Sequence, residues 1–539
     1  MDDMETPVAE QVETQPVQES EVAAEKPAKK PNGFLRAVGF DAIKKKTTIK
    51  TEIIAGIVTF LAMAYILTVN PNQILFAGVR TVVDGEVTGT FVPTDNVLWP
   101  SIFIATAFGA VIGTLLMAFL ARMPLAQASG MGLNSMLGGV IGGGAGLISY
   151  TYNFTIGQAF MMVLISGIIF LLLYVIKIKG KTFRELVFDG MPVAVRSAIS
   201  VGIGLFIAFI GFQNAHIIVG NQYTLVDLVA FSKYDVNVNS AVVCLSGLFL
   251  IAIFDKLNVK GSVIFGILGA AIVGIPLGVT KWWIAAGNEP GISWKFWENF
   301  GNFFAVGETS VFGSFTSVFT EGFPAGSLFT IIMLIITMCM IDMFDTMGTI
   351  VGCCSNNSVL SDETGKPHRY GQIMMSDAIA TCTGAMLGTS TVTTFVESGA
   401  GVSAGGRTGL TAFTTACLFF LSMFALPLFA AIPSAAAASA LIYVGVLMMK
   451  GNVKNIDLSN AINATAAFLT ISVMVLAYSI TKGIGVGMIS WTLMSIVSYL
   501  IELIKYAITK KEKPVWNVSI VSIVVSLLFC LFFFVPTTL

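Results

Sequence analysis

The stretch MCMIDMFDTMGTIVG, residues 338–352, lies inside a long apolar run yet carries Asp342 and Asp345. Ionised carboxylates are costly in hydrocarbon, so acids within a spanning segment are by default functional. At i, i+3 on a helix the two are expected to share a face, with Thr346 and Thr349 nearby. Two explanations stand. Either the pair serves a ligand or a proton, or each carboxylate is simply satisfied by neighbouring Ser, Thr or backbone N–H groups.

The surrounding composition decides the solvent. Of 539 residues, 55% are hydrophobic and only 11% charged, against roughly 25% charged in an ordinary soluble protein, and mean hydropathy is +0.83. Apolar runs long enough to cross a bilayer recur along the chain, near 53–70, 98–121, 127–145, 156–176, 193–212, 240–254 and 261–279. A second set lies near 327–353, 370–388, 389–404, 408–426, 428–449, 464–481 and 485–508, and a last stretch at 515–535 either crosses or lies on the surface. This is the pattern of an all-α polytopic membrane protein, not of a barrel built from short alternating strands.

Charge placement sets the orientation. Lys44, Lys45, Lys46 and Lys50 precede the first span, and Lys177, Lys179, Lys181 and Arg184 follow the fourth. Lys256 and Lys260 lie between the sixth and seventh, Lys450 and Lys454 follow the twelfth, and Lys505, Lys510, Lys511 and Lys513 follow the fourteenth. With a cytoplasmic N-terminus all these clusters fall on the cytoplasmic side. The segment 280–326, with Trp282, Trp283, Trp294 and Trp297, then lies outside and suggests an interfacial helix. Residues 1–33, acidic and rich in Gln, Pro and Lys, have the composition of a disordered tail.

Other chemistries find no support. A net charge of −1 without a basic block gives no footprint for nucleic acid. His216 and His368 stand alone, the seven cysteines fit no zinc spacing, and no nucleophile–base pattern is visible, so neither an enzyme nor a metal or other cofactor is expected. The Gly-rich run GAGVSAGGRTG lacks the Lys-Ser/Thr ending of a phosphate loop.

The third and tenth spans stand apart. QASGMGLNSMLGGVIGGGAG and GTSTVTTFVESGAGVSAGG are short and rich in Gly, Ser and Thr. Paired interrupted segments at matching places in two halves point to a transporter site, and seven spans per half would invert the second half relative to the first. Thr389 to Thr394 reads as a short extended piece entering a half-helix. Its unpaired N–H groups and helix dipole are expected to hold a polar ligand, as tolerated only beside a cavity. Glu397 supplies an acceptor there, unless it serves only as a helix N-cap. Asn134 offers donor and acceptor to a ligand or to a neighbouring helix. Asn70–Pro71 is expected to end the first span for structural reasons.

Three acids and an amide at membrane depth suit a neutral heterocycle, whose ring N–H and amino groups donate to carboxylates and whose face stacks on an aromatic such as Phe395. Burial favours the protonated acid, which makes one of the acids a candidate proton carrier.

TEIIAGIVTFLAMAYILTVNP, SGMGLNSM, MIDMFDTMGTIVG, GTSTVTTFVESGAGVSAGGRTGLTA and AFLTISVMVLAYSITKGIGVGMISW together resemble the nucleobase–ascorbate transporter superfamily, in its AzgA-like adenine/guanine/hypoxanthine permease branch. GFQNAHIIV and a cytoplasmic loop ETGKPHRYGQIMMSDAIAT add to the likeness, which runs from about residue 34 to 508. The resemblance implies fourteen transmembrane segments in two inverted seven-segment repeats, 34–279 and 327–508, joined by the extracytoplasmic 280–326; the C-terminal apolar segment 509–539, like the N-terminal tail, lies outside the likeness. It implies a core domain (53–176 and 327–426) moving against a gate domain (192–279 and 428–508), with short antiparallel strands in segments 3 and 10. It places substrate contacts at Asp345, Glu397 and Asn134, with Phe395, Val396 and Ser398 beside Glu397, and proton coupling at Asp342 and Asp345. After GMGLN, family members often continue with an aromatic; here the chain runs SMLGGVIGGGAG, leaving the aromatic cover to Phe395 or Phe60. A homodimer in the cytoplasmic membrane, importing guanine, hypoxanthine or adenine with protons by an elevator movement, is the implied whole. The rivals are a sulfate or bicarbonate carrier of the same fold, which would want a basic residue where Glu397 stands, a uracil/xanthine permease, and a channel, which would favour a symmetric filter.

Overall fold

The computed structural model describes residues 33–40, 47–75, 82–83, 86–87, 98–141, 154–178, 181–182, 190–221, 225–234, 236–287, 292–304, 318–319, 322–324, 327–354, 359–361, 367–510 and 515–534. The expected tail, all but its last residue, lies outside them, as do Lys44, Lys45, Lys46, Lys179, Arg184, Lys511, Lys513 and the end of the third predicted span.

The first half contains helices α1 (Ile49–Met63), α2 (Ile66–Leu75) and α3 (Trp99–Leu116), strand β1 (Gln127–Ser129), and α4 (Met131–Val140), α5 (Ile156–Val175), α6 (Val193–Asn214), α7 (Val236–Lys256) and α8 (Ser262–Gly274). A short α9 (Phe296–Phe304) leads to α10 (Leu328–Cys354), α11 (Tyr370–Leu387), strand β2 (Val392–Thr394), α12 (Ser398–Ser403), α13 (Gly409–Ser422), α14 (Ser434–Asn452), α15 (Ala461–Leu476), α16 (Ile480–Thr509) and α17 (Ile520–Phe534). Among the described residues nine helical stretches are long and apolar enough to cross a membrane, and α8, α15 and α17 are shorter apolar helices.

The helix starts are written locally. Thr48 accepts from the Thr51 N–H at α1, Thr155 and Gln158 form a reciprocal capping box at α5, and Ser479 accepts from the Lys482 N–H at α16. Pro71 does not end the first span. The helix pauses at Ala64–Tyr65 instead, and Pro71 lies inside the resumed α2. The missing N–H of proline affects only one bond there, while Asn70 donates to Thr106 at 2.7 Å and to Thr389 at 2.9 Å.

The helices pack in two groups. In one, α1, α3, α5, α10, α11, α12 and α13 pack on one another. In the other, α6 packs on α14, α15 and α16, α7 on α8 and α14, and α16 on α17. Thr492 and Ser526 share a hydrogen bond between α16 and α17, and Ser522 donates to the Gly190 carbonyl at 2.9 Å, so the last apolar segment is a helix laid on the second group. In the long connecting segment, Trp282 and Trp283 of a short 3-10 turn, Trp294, and Trp297 of α9 are all exposed, as interfacial anchors are.

A two-stranded crossing lies within the first group, against α3, α10 and α11. β1 and β2 pair antiparallel, with Gln127 opposite Thr394, Ala128 opposite Thr393 and Ser129 opposite Val392. The chain reaches β2 because α11 ends at Gly388, whose φ of 94° reverses its direction at no Cβ penalty. Beyond the strands the pairing continues from the Gly130 N–H to the Thr391 carbonyl (2.8 Å) and from the Phe395 N–H to the Ala126 carbonyl (3.1 Å). Strand and half-helix follow a full helix in both halves, and the antiparallel pairing is what an inverted repeat delivers.

Candidate functional site

Such short strands leave polar backbone and hydroxyls deep in the protein, where each group must find a partner. Ser129 is hydrogen-bonded with Thr389 (2.9 Å) and Ser390 (2.7 Å), and donates to Asn134 Oδ1 at 3.2 Å. Ser390 also donates to Asn134 Oδ1. On the other flank sits Asp377, fully buried on α11. Its Oδ2 accepts from Thr346 Oγ1 at 2.7 Å, and its Oδ1 from Gln127 Nε2 at 3.1 Å and Thr394 Oγ1 at 3.4 Å. One carboxylate thus joins both strands to α10 one residue beyond Asp345. Asp377 falls in the predicted span 370–388, although the run ETGKPHRYGQIMMSDAIAT that contains it also carries the family likeness as a cytoplasmic loop. The structure makes 370–387 a packed helix, as the span predicts, with its acid buried.

A cavity of about 90 Å³ opens beside the crossing. Asp345 and Thr349 of α10, Met131 and Gly132 of α4, and Thr394, Phe395, Val396 and Glu397 line one side; Ser200 and Ile207 of α6 and Val444, Leu447 and Met448 of α14 line the other. It therefore lies between the two packing groups. Through Ser200, Val396, Glu397 and Leu447 it adjoins a larger cavity of about 1360 Å³, whose lining includes Arg196, Lys260, Lys450 and Lys454.

Asp345, Glu397, Phe395 and Val396, all expected from sequence, converge on the small cavity. The other three expected residues are placed elsewhere. Ser398 Oγ accepts from the Ala126 N–H at 3.0 Å and braces the strand crossing. Asn134 is held by Ser129 and Ser390, and among the described residues its side chain lines neither cavity. Asp342 accepts from Thr381 Oγ1 at 3.2 Å, towards α11. Asp342 and Asp345 share a helix face to within about 60°, since three residues turn a helix about 300°; Asp345 lines the cavity while Asp342 lies towards α11. Phe60 packs edge-on against Phe419 and lines neither cavity, which leaves Phe395 as the aromatic of the small cavity among the described residues.

Two local expectations also change. Glu397 occupies the N-cap position of α12, but its side chain makes no capping bond. Nor are the first-turn N–H groups open to a ligand. Ser398, Gly399 and Ala400 donate to the carbonyls of Phe395, Val396 and Glu397, because the six-residue helix closes on itself by tight i to i−3 turns. The carboxylate faces Tyr65, whose Oη donates to Glu397 Oε1 at 2.5 Å from the pause between α1 and α2. Glu397 Oε2 is buried with no hydrogen-bond partner among the described residues.

Behind the site, α12 is pressed on α1. A Cβ on Gly401 would stand 2.0 Å from Thr59 Oγ1 and 2.9 Å from the Ala55 carbonyl, so only glycine fits. The chain leaving α12 is held by Glu52, which accepts from the N–H groups of Arg407 (3.0 Å) and Thr408 (3.2 Å) and from Thr411 Oγ1 (2.5 Å). Glu52, in the first turn of α1, reads from sequence as an ordinary interfacial acid; its partners are more than 350 positions away.

The Permease family profile matches residues 50–486. The chain is 33% identical over 464 residues to the adenine permease AdeP of Escherichia coli (strain K12), an alignment covering 86% of this chain and 91% of that one. It is 33% identical over 461 residues to the guanine/hypoxanthine permease PbuO of Bacillus subtilis (strain 168), covering 84% and 93%. Among solved structures, the transmembrane domain of the cyanobacterial bicarbonate transporter BicA matches with a TM-score of 0.54 at 16% identity, over 80% of this chain and 96% of that domain. At that identity the likeness concerns the fold alone, and the fold is the same.

Proposed function

The chain belongs to the Permease family, and from that premise we propose that it carries purine nucleobases across a cell membrane. The observation that carries this reading is the small cavity in which Asp345 and Glu397 stand together beside Phe395. Two carboxylates facing an enclosed space favour a neutral ring bearing N–H donors and disfavour an anion, which both acids would repel. Phe395 supplies a face for stacking. The named substrates of AdeP and PbuO, adenine and guanine/hypoxanthine, agree with that chemistry.

In this reading the site is worked by alternating access. The core domain (53–176 and 327–426) carries Asp345 and Glu397, and the gate domain (192–279 and 428–508) supplies the facing wall from α6 and α14. A core sliding past the gate takes the base from one side of the membrane to the other. The basic residues around the larger cavity support a mouth on the cytoplasmic side and a cytoplasmic N-terminus. Protons are the coupling ion, carried by Asp345 or by Asp342 behind it, and the protein works as a homodimer.

The test is uptake of labelled purines in cells lacking their own permeases, with unlabelled purines, uracil, xanthine, sulfate and bicarbonate as competitors and an uncoupler in parallel. Competition by purines and collapse of accumulation with the uncoupler are expected. Competition by anions or uracil without purines contradicts the reading. Asp342→Asn or Asp345→Asn, at whichever is the carrier, retains exchange and loses accumulation; accumulation unchanged in both excludes them.

A further inference from the structure

Tyr65 lies in AMAYILTVN, a stretch in which a tyrosine reads as one more apolar packing residue. It is 1% exposed and lines neither cavity, so it does not touch a bound ligand. Its hydroxyl is 2.5 Å from Glu397 Oε1 and 3.6 Å from the sulfur of Met131, another residue of the small cavity. The pause in the helix at Ala64–Tyr65 is what turns the ring towards α12. The second oxygen of Glu397 has no partner among the described residues.

We propose that Tyr65 is a positioning residue that reserves one oxygen of Glu397, so that the substrate meets a single carboxylate acceptor there. The inference rests on the proposed nucleobase substrate and deepens it, because it predicts which ring edges the site rewards. Guanine presents two adjacent donors, N1–H and the 2-amino group, which match both oxygens of a carboxylate at once. Hypoxanthine presents N1–H alone on that edge. With Oε1 held by Tyr65, guanine's second donor gains nothing from Glu397, and the site accepts both bases. Removing the hydroxyl releases Oε1 and turns the carboxylate into a two-point acceptor.

The experiment is competition binding to the purified full-length chain, with labelled hypoxanthine displaced by guanine or by hypoxanthine. In the unaltered protein the two are expected to bind within about threefold of each other, since the second donor finds no open oxygen on Glu397. In Tyr65→Phe the ratio moves towards guanine by about tenfold, the value of one charge-assisted hydrogen bond. Tyr65→His, which restores a donor, returns the ratio towards that of the unaltered chain. In a Glu397→Gln background Tyr65→Phe leaves the ratio as it is. An unchanged ratio in folded Tyr65→Phe, an equal weakening of both bases, or the same shift in the Glu397→Gln background overturns the inference. If Tyr65→Phe does not fold, a strong guanine preference in the unaltered chain overturns it instead. An unaltered chain that binds neither base sinks the proposed function and this inference with it; one that binds both, with a ratio indifferent to Tyr65, sinks the inference alone.

Discussion

Removing the Asp377 carboxylate should cost more stability than any other single change near the site. Among the described residues it accepts hydrogen bonds of 2.7, 3.1 and 3.4 Å from Thr346, Gln127 and Thr394. In Asp377→Ala the two threonine hydroxyls can rotate to other acceptors, and Thr346 has a backbone carbonyl one turn back. The Gln127 amide has no such choice: its Nε2 is left with the long 3.4 Å contact to Thr394. One stranded buried donor and the loss of one or two charge-assisted bonds sum to about 3–5 kcal/mol. Asp377→Asn keeps an acceptor for Gln127 and loses mainly the charge, about 1 kcal/mol. Chemical unfolding of the purified protein in mixed micelles, followed by tryptophan fluorescence, reads these differences. Because the strands set the positions of Phe395 and Glu397, Asp377→Ala should also weaken purine binding, and Asp377→Asn should largely preserve it. If Asp377→Ala is as stable as the unaltered chain, the bracing argument is wrong. If Asp377→Asn is as damaging as Asp377→Ala, the charge itself matters and not the bonds it accepts.

Other changes follow from the same contacts. Gly401→Ala sets a methyl 2.0 Å from Thr59 Oγ1, an overpacking of about 1–3 kcal/mol; adding Thr59→Ala should restore part of it in the same unfolding assay, and no recovery contradicts the contact. Glu52→Ala strips the acceptor from two N–H groups and the Thr411 hydroxyl and should lower stability by about 2–4 kcal/mol, with Glu52→Gln intermediate. Truncation after Lys510 removes α17, including the Ser522 bond to Gly190. It should lower the melting temperature and leave purine Kd within about twofold, because the cavity lies elsewhere; a large loss of affinity would tie α17 to the site.

The fold was legible because a bilayer imposes length and hydropathy on every spanning element, and because loss of that regularity at 127–145 and 389–404 marked the two broken segments. Asp345 and Glu397 were legible for the same reason, as acids where acids are expensive. Direction was not. Sequence spacing puts Asp342 and Asp345 on one face but does not say which of the two, about 60° apart, reaches the cavity. Asp377 obeys the same signal, an acid inside the predicted span 370–388, but its strand partners lie far from it in sequence. Pro71 reads as a stop, whereas the helix already pauses at Tyr65, six residues earlier. Tyr65 and Glu52 act through partners more than 300 positions distant, and nothing local in a tyrosine or an interfacial glutamate announces such a partner.

The central claim, that Asp345 and Glu397 grip the base while Asp342 stands behind them, is tested most directly by equilibrium binding of labelled hypoxanthine to purified Asp345→Asn, Glu397→Gln and Asp342→Asn proteins. Each of the first two should weaken binding at least tenfold, about 1.4 kcal/mol for one charge-assisted bond, while Asp342→Asn binds as the unaltered chain does. Undiminished binding in Asp345→Asn or Glu397→Gln, or an equal loss in all three, would contradict it.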